Sequence, residues 1–139
     1  MKTASLIENA PIVEKGPVVM AVEDDSVSLR VIKSALEKKG YHVVTAVSGE
    51  EALKELKVLV PSVLILDVMM PGISGHDLCN LVKQNERLRE VPVVFLTASD
   101  APKDFKIGQE LGAVLYLTKP IRPDRLLQAV GMLCPPPRS

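Results

Sequence analysis

Val63-Leu64-Ile65-Leu66-Asp67, running on into Val68-Met69-Met70-Pro71-Gly72, is the stretch on which the reading of this chain turns. Four consecutive apolar residues, with no polar alternation, describe a short strand whose two faces are both covered. A lone carboxylate ends the run and a turn-prone segment, Pro71 to Gly75, follows it. The same design repeats outward in both directions. Val18–Val22 is apolar and ends in Glu23-Asp24-Asp25, Val93–Leu96 ends in Thr97, and Ala113–Leu117 ends in Thr118-Lys119. Tyr41–Ala46, rich in β-branched residues, supplies a fifth strand.

Helical spacing fills the intervals. Leu29, Ile32 and Leu36 recur on one face before a stop at Gly40. Ser48 with Glu51 three positions on is a capping-box signature, and Leu53, Leu56 and Val60 follow as the expected buried face. Leu78 and Val82 mark a third helix. A fourth, near Asp104 to Leu111, has only Phe105, Ile107 and Leu111 to bury. Leu126, Val130 and Leu133 mark the last, with Pro123 suited to its first turn. Five alternating strand–helix units predict a single doubly wound (βα)5 domain of the α/β class, with a parallel five-stranded sheet in the order 2-1-3-4-5.

The bulk figures fit one domain. The chain has 139 residues, 47% of them hydrophobic, which is enough for a core without a staple. Lys plus Arg and Asp plus Glu are both 17, so neither a nucleic-acid nor a membrane surface is indicated. No apolar run approaches the roughly 18 residues of a membrane span, and the opening residues lack the apolar core of a secretory signal. Cys79 and Cys134 have no metal-ligand or redox spacing and are expected to be reduced thiols of a cytoplasmic protein. Residues 1–16 read as a flexible leader ending in Gly16-Pro17, 17–133 as the domain, and 134–139 as a Pro-rich tail or linker start. His42 and His76 are expected at the surface.

Chemistry gathers where the apolar strands stop. Open α/β sheets bind ligands beyond the carboxyl ends of their strands, where strand order reverses, which in this order lies between strands 1 and 3. Glu23, Asp24 and Asp67 should converge there. Three carboxylates cannot all remain ionised cheaply without a cation. An oxygen-only donor set suits a hard ion such as Mg²⁺, with Mn²⁺ as a substitute. Lys119 and Thr97 add a positive charge and a hydroxyl on the other flank, and a cation with a lysine is how proteins stabilise a transferring phosphoryl group. A carboxylate is an established acceptor of such a group, and Asp67, standing alone before its loop, is the better nucleophile.

The segments VVMAVEDDSVSLR, LILDVMMPGISG, VPVVFLTAS and LGAVLYLTKP resemble, in order and spacing, the response-regulator receiver domains of two-component signalling, whose fold is flavodoxin-like and chemotaxis-regulator-like. The likeness covers residues 17 to about 133. It implies that Asp67 is the phosphoacceptor, and that Asp24 ligates Mg²⁺ directly while Glu23 acts mostly through water. The backbone carbonyl of Met69 would complete the protein ligands. Lys119 would pair with the phosphoryl group or the Asp67 carboxylate, its bond to Pro120 being cis. Thr97 would hydrogen-bond the arriving phosphoryl, and Tyr116 would be the switch aromatic. The implied partners are a histidine kinase or histidine phosphotransfer protein and an unnamed output partner. The output face would be the fourth helix, fifth strand and fifth helix, and a phosphorylation-dependent dimer is one arrangement the resemblance allows. The chain would catalyse only its own phosphorylation and dephosphorylation.

Three departures stand out. Glu23 occupies a position where many receivers have Asp, Ile121 one where Phe is common, and Val114-Leu115 one where polar residues often precede the switch aromatic. Met69 and Ser99, at positions that in the family tune dephosphorylation, are neither an acid nor an amide able to orient a water, so a long-lived phosphoryl is expected. The rival reading is a metal-dependent phosphotransferase or hydrolase with an aspartyl-phosphate intermediate. It would want a further acid beside Asp67, where position 69 is Met.

Overall fold

The computed structural model describes residues 17–98, 106, 109, 110, 112 and 115–137. Its elements are β1 (Val18–Val22), α1 (Ser26–Glu37), β2 (His42–Ala46), α2 (Gly49–Leu56), β3 (Val63–Asp67), α3 (Gly75–Gln84), β4 (Val93–Thr97), β5 (Leu115–Thr118) and α4 (Pro123–Leu133). All strand pairs are parallel, in the order β2-β1-β3-β4-β5. The α/β topology is therefore the one expected.

Successive strand residues point to opposite faces, which divides the core in two. Met20, Val22, Leu64, Leu66 and Phe95 pack under α2 and α3 through Ala52, Leu56, Leu78 and Val82. Val19, Ala21, Ile65, Val94 and Leu96 pack under α1 and α4 through Leu29, Ile32, Leu126 and Val130. Every residue of β1, β3 and β4 is buried, as apolar runs without alternation demand.

The helices start where local chemistry starts them. Asp25 caps α1 by accepting from Ser28 N, Ser48 caps α2 through Glu51 N, Ser74 caps α3 through Asp77 N, and Pro123 opens α4. The returning bond of the capping box goes to Val47 N rather than to Ser48, at 3.0 Å from Glu51 Oε1. Gly40 ends α1 in the left-handed region, at φ 95°.

The expected buried face of α2 needs correction. The helix stops at Leu56, its buried residues are Gly49, Ala52 and Leu56, and Val60 lies beyond it, 49% exposed. Pro61 keeps Val60 itself out of any helix, because the residue before a proline is driven out of the helical region. Tyr41 precedes β2 instead of belonging to it. It is buried, and its hydroxyl donates to the carbonyl of Cys134. Pro137 lies against Gly40, so the first residues after α4 stay on the domain. Lys106, Gln109 and Glu110 are helical. Phe105, Ile107 and Leu111 of the expected fourth helix, the start of the expected last strand at Ala113 and Val114, the leader 1–16 and Ser99 lie outside the described residues.

Candidate functional site

The carboxyl ends of β1 and β3 are adjacent, with Val22 paired to Leu66. One step further on, Glu23 and Asp67 face a common hollow. One carboxylate oxygen from each of Glu23, Asp24 and Asp67 lies within 4.8 Å of the others. Glu23 and Asp67 are buried and Asp24 is exposed, so the cluster opens to solvent on the Asp24 side. Asp25, next in line, is taken up elsewhere. Its Oδ2 accepts from the Ser28 hydroxyl at 2.6 Å and from Ser28 N at 3.0 Å, and these bonds hold its carboxyl below the usual range.

Lys119 enters from the other flank. The strand pairing sets Thr97 opposite Thr118, and Lys119 N donates to Thr97 O at 2.8 Å. The following Lys119–Pro120 peptide is cis, as the resemblance implied. The ammonium lies 2.7 Å from Glu23 Oε1 and 3.5 Å from Asp67 Oδ2. It is thus nearer to Glu23 than to the carboxylate with which it was expected to pair. Glu23 Oε2 accepts from Asp25 N at 3.1 Å, whereas Oε1, fully buried, has the ion pair but no hydrogen-bond partner. Asp67 Oδ1 accepts from Met69 N at 3.3 Å.

The electrostatics follow from this crowding. Burial pushes the Asp67 carboxyl up to about 7, the Glu23 carboxylate adds to the shift, and Lys119 and Met69 N only partly oppose it. Burial works against the charged form of Lys119, but Glu23 and Asp67 outweigh it and its pKa is raised. Two buried acids beside one ammonium leave a local excess of negative charge. An oxygen-only donor set of three clustered carboxylates carrying that excess charge fits a hard divalent cation.

Thr97, at the end of β4, is buried beside this hollow. Tyr116 stands opposite Phe95 in the β4–β5 register, half-buried, with ring centroids 5.3 Å apart and planes tilted by 35°. On its other side Phe95 meets His76 of α3 edge-on at 4.9 Å. His76 is therefore half-buried against the core rather than an ordinary surface residue, because α3 starts directly beneath the site and turns its first residues inward. The Met69 side chain is 73% exposed.

Gly75 is a structural part of the site that the sequence showed only as a turn residue. A Cβ at this position would lie 2.1 Å from the carbonyl oxygen of Asp67 and 2.8 Å from its carbon. Only glycine lets the start of α3 press against the backbone that carries Asp67, where Gly75 N donates to Val68 O at 3.1 Å. No signal short of a tertiary model distinguishes this glycine from Gly72 three residues earlier.

Comparison with known proteins agrees with this geometry. Residues 19–131 match the family model of the response regulator receiver domain. The chain is 34% identical over 112 residues to Protein PilG of Pseudomonas aeruginosa, covering 81% of this chain and 83% of that one. It is 38% identical over 105 residues to the alkaline phosphatase synthesis transcriptional regulatory protein PhoP of Bacillus subtilis, covering 76% of this chain but 43% of the relative. Among solved structures, the chemotaxis response regulator CheY4 of Vibrio cholerae superposes with a TM-score of 0.80 at 30% identity, over 84% of this chain and 98% of that one. This chain belongs to the response regulator receiver domain family, the signalling modules of two-component systems that interact with histidine kinases and output domains. It spans less than half the length of the transcriptional regulator just named. Among the described residues no helix is long and apolar enough to cross a membrane.

Proposed function

We propose that Asp67 accepts a phosphoryl group from a histidine kinase or a histidine phosphotransfer protein, in a reaction that requires Mg²⁺ or Mn²⁺. The observation that carries this reading is the buried Asp67 carboxylate, 3.5 Å from the Lys119 ammonium and clustered with Glu23 and Asp24. A carboxylate oxygen of Asp67 attacks phosphorus, the new P–O bond forms as the P–N bond breaks, and the donor imidazole, protonated at its other nitrogen, takes the bond's electron pair and leaves neutral. Glu23, Asp24 and Asp67, with the backbone carbonyl of Met69, are the residues that would hold the ion. When bound it supplies positive charge to the phosphoryl oxygens. Lys119 supplies a second positive charge from the β5 side, and the Thr97 hydroxyl is the donor for a phosphoryl oxygen.

Adding that group gives Thr97 and Lys119 new acceptors, which biases the ends of β4 and β5 between two arrangements. Tyr116, between those ends and packed on Phe95, is the residue through which the change reaches the output face. That face is made of β5, α4 and the segment before β5. The module acts by presenting it to a partner, in the cytoplasm, and turns over no separate substrate. With neither an acid nor an amide at Met69 and Ser99 to orient a water, the phosphoryl should persist for minutes or longer. A half-life of seconds contradicts that part of the reading.

The test is intact mass after incubation with acetyl phosphate. A gain of one phosphoryl in the presence of Mg²⁺, lost on chelation, is the expected result. No gain under any metal condition overturns the proposal, and sustained hydrolysis of a simple phosphomonoester would favour the enzyme reading instead.

A further inference from the structure

The rim of the acidic hollow carries a sulfur that the phosphoryl chemistry leaves unused. Among the described residues, Met20 and Met70 are buried, whereas Met69 is 73% exposed and Met132, on α4, 70%. Met69 stands two residues beyond the acceptor. Its N–H reaches Asp67 Oδ1 at 3.3 Å, so its side chain starts two bonds from an atom that touches the reacting carboxylate. The backbone just before it is held, because Val68 N donates to Leu96 O at 2.9 Å and Val68 O accepts from Gly75 N at 3.1 Å. A space of about 480 Å³ adjoins Met69, lined also by Val68, Met70, Pro71 and Ser74. A flexible, polarizable thioether is thus fixed at its root beside the acceptor and open to small solutes along its length.

We propose that Met69 is an oxidation site through which hydrogen peroxide shortens the life of the phosphoryl group, an inference that rests on Asp67 being the acceptor. The Met69 sulfur attacks one peroxide oxygen, the O–O bond breaks and an S–O bond forms. Sulfur loses two electrons, the peroxide gains them, and water is the other product. A thioether is a weak hydrogen-bond acceptor. The sulfoxide is polar, and its oxygen is a strong acceptor. Oxidation therefore turns a side chain that leaves water unplaced into one that holds a water beside the phosphoryl group.

That water adds to phosphorus as the P–O bond to Asp67 breaks. Inorganic phosphate and the Asp67 carboxylate result, and one proton passes to solvent. The half-life of the phosphoryl group should shorten about tenfold, less than the roughly hundredfold or more of a group that itself takes the proton. Enzymatic reduction of the sulfoxide returns the thioether, so the change is reversible.

The test uses the full chain, treated or not with hydrogen peroxide and mapped for sulfoxide by peptide mass. Each sample is then loaded with acetyl phosphate and Mg²⁺, the donor is removed, and loss of the phosphoryl group is followed by intact mass. Treated parent should decay faster, and a methionine sulfoxide reductase should restore its half-life. Met132→Leu should respond to peroxide as the parent does. Met69→Leu, whatever its own half-life, should show no response. Met69→Gln, with an amide oxygen in place of the sulfoxide, should decay faster than the parent without any peroxide. The proposal fails if Met69 carries sulfoxide and the half-life is unchanged or longer, or if Met69→Leu responds like the parent. It fails equally if peroxide that oxidises Met132 spares Met69. No phosphoryl uptake by untreated parent would bring down the acceptor reading itself, whereas normal uptake with unchanged decay sinks this proposal alone.

Discussion

The central strands of this sheet and its β5 edge are built differently. β1, β3 and β4 are buried along their whole length, while three of the four residues of β5 are half-buried and the fourth is exposed. The acids Glu23 and Asp67 stand on or beside the buried strands. Lys119 and Tyr116 are carried by the edge strand and the residue that follows it. One half of the site is thus held by packing on both faces, and the other by a strand with one neighbour and less apolar contact. Local stability tracks buried contact, so the acidic half should stay fixed while the β5 half responds.

That contrast can be broken most severely at Asp67. Asp67→Asn should abolish phosphoryl uptake from acetyl phosphate, to below detection by intact mass, with the fold retained by circular dichroism. Persistent uptake would mean that the fixed half does not carry the acceptor. Next in size is Gly75→Ala. Its added carbon meets the Asp67 carbonyl, so β3 or α3 must give way. A loss of roughly 2–3 kcal/mol in urea unfolding is expected, the upper part of an overpacking cost. Gly131→Ala on α4, where nothing lies within 4 Å, is the matched control and should not destabilise.

The pH dependence sharpens the comparison. Asp67 is raised from 3.8 to about 7 in the folded chain, chiefly by burial and then by Glu23. Between those values the folded state holds a proton that the unfolded state has released. Metal-free stability should therefore fall as pH rises from about 4 to about 7 and level off above. Urea titrations should show this slope in the parent and a shallower one in Asp67→Asn. Added Mg²⁺ should recover stability at the alkaline end. The smallest effect is expected from Glu23→Asp. Shortening that side chain draws the carboxylate away from Lys119 and Asp67, so the Asp67 carboxyl should titrate lower than in the parent by carbon NMR. Mg²⁺ affinity should change by less than tenfold, that is by less than about 1.4 kcal/mol. An upward move of the Asp67 titration would show that Glu23 is not the group that raises it.

Much of this was legible in the residues because the relevant signals are local. The runs 18–22, 63–66 and 93–96 each declare a doubly covered strand, and their polar ends fall at one sheet edge once the strands are parallel. Ser48 and Pro123 likewise act within a turn of their own position, whereas the Ser74 cap reads only as part of a turn. What could not be read depends on distant partners. Glu23 and Lys119 are far apart in sequence, and nothing in either predicts a 2.7 Å contact. Ala52 is fully buried on α2, but a small residue gives only a weak periodic signal. Nothing local marks His76 for burial either, because its contact with Phe95 exists only once α3 packs on the sheet.

The most direct measurement is borohydride reduction of the chain after acetyl phosphate and Mg²⁺, followed by peptide mapping, since an aspartyl phosphate is reduced to homoserine. The account expects homoserine at position 67 and nowhere else. Homoserine at Asp24, or none at any position in a chain that has gained the mass of a phosphoryl group, would contradict it.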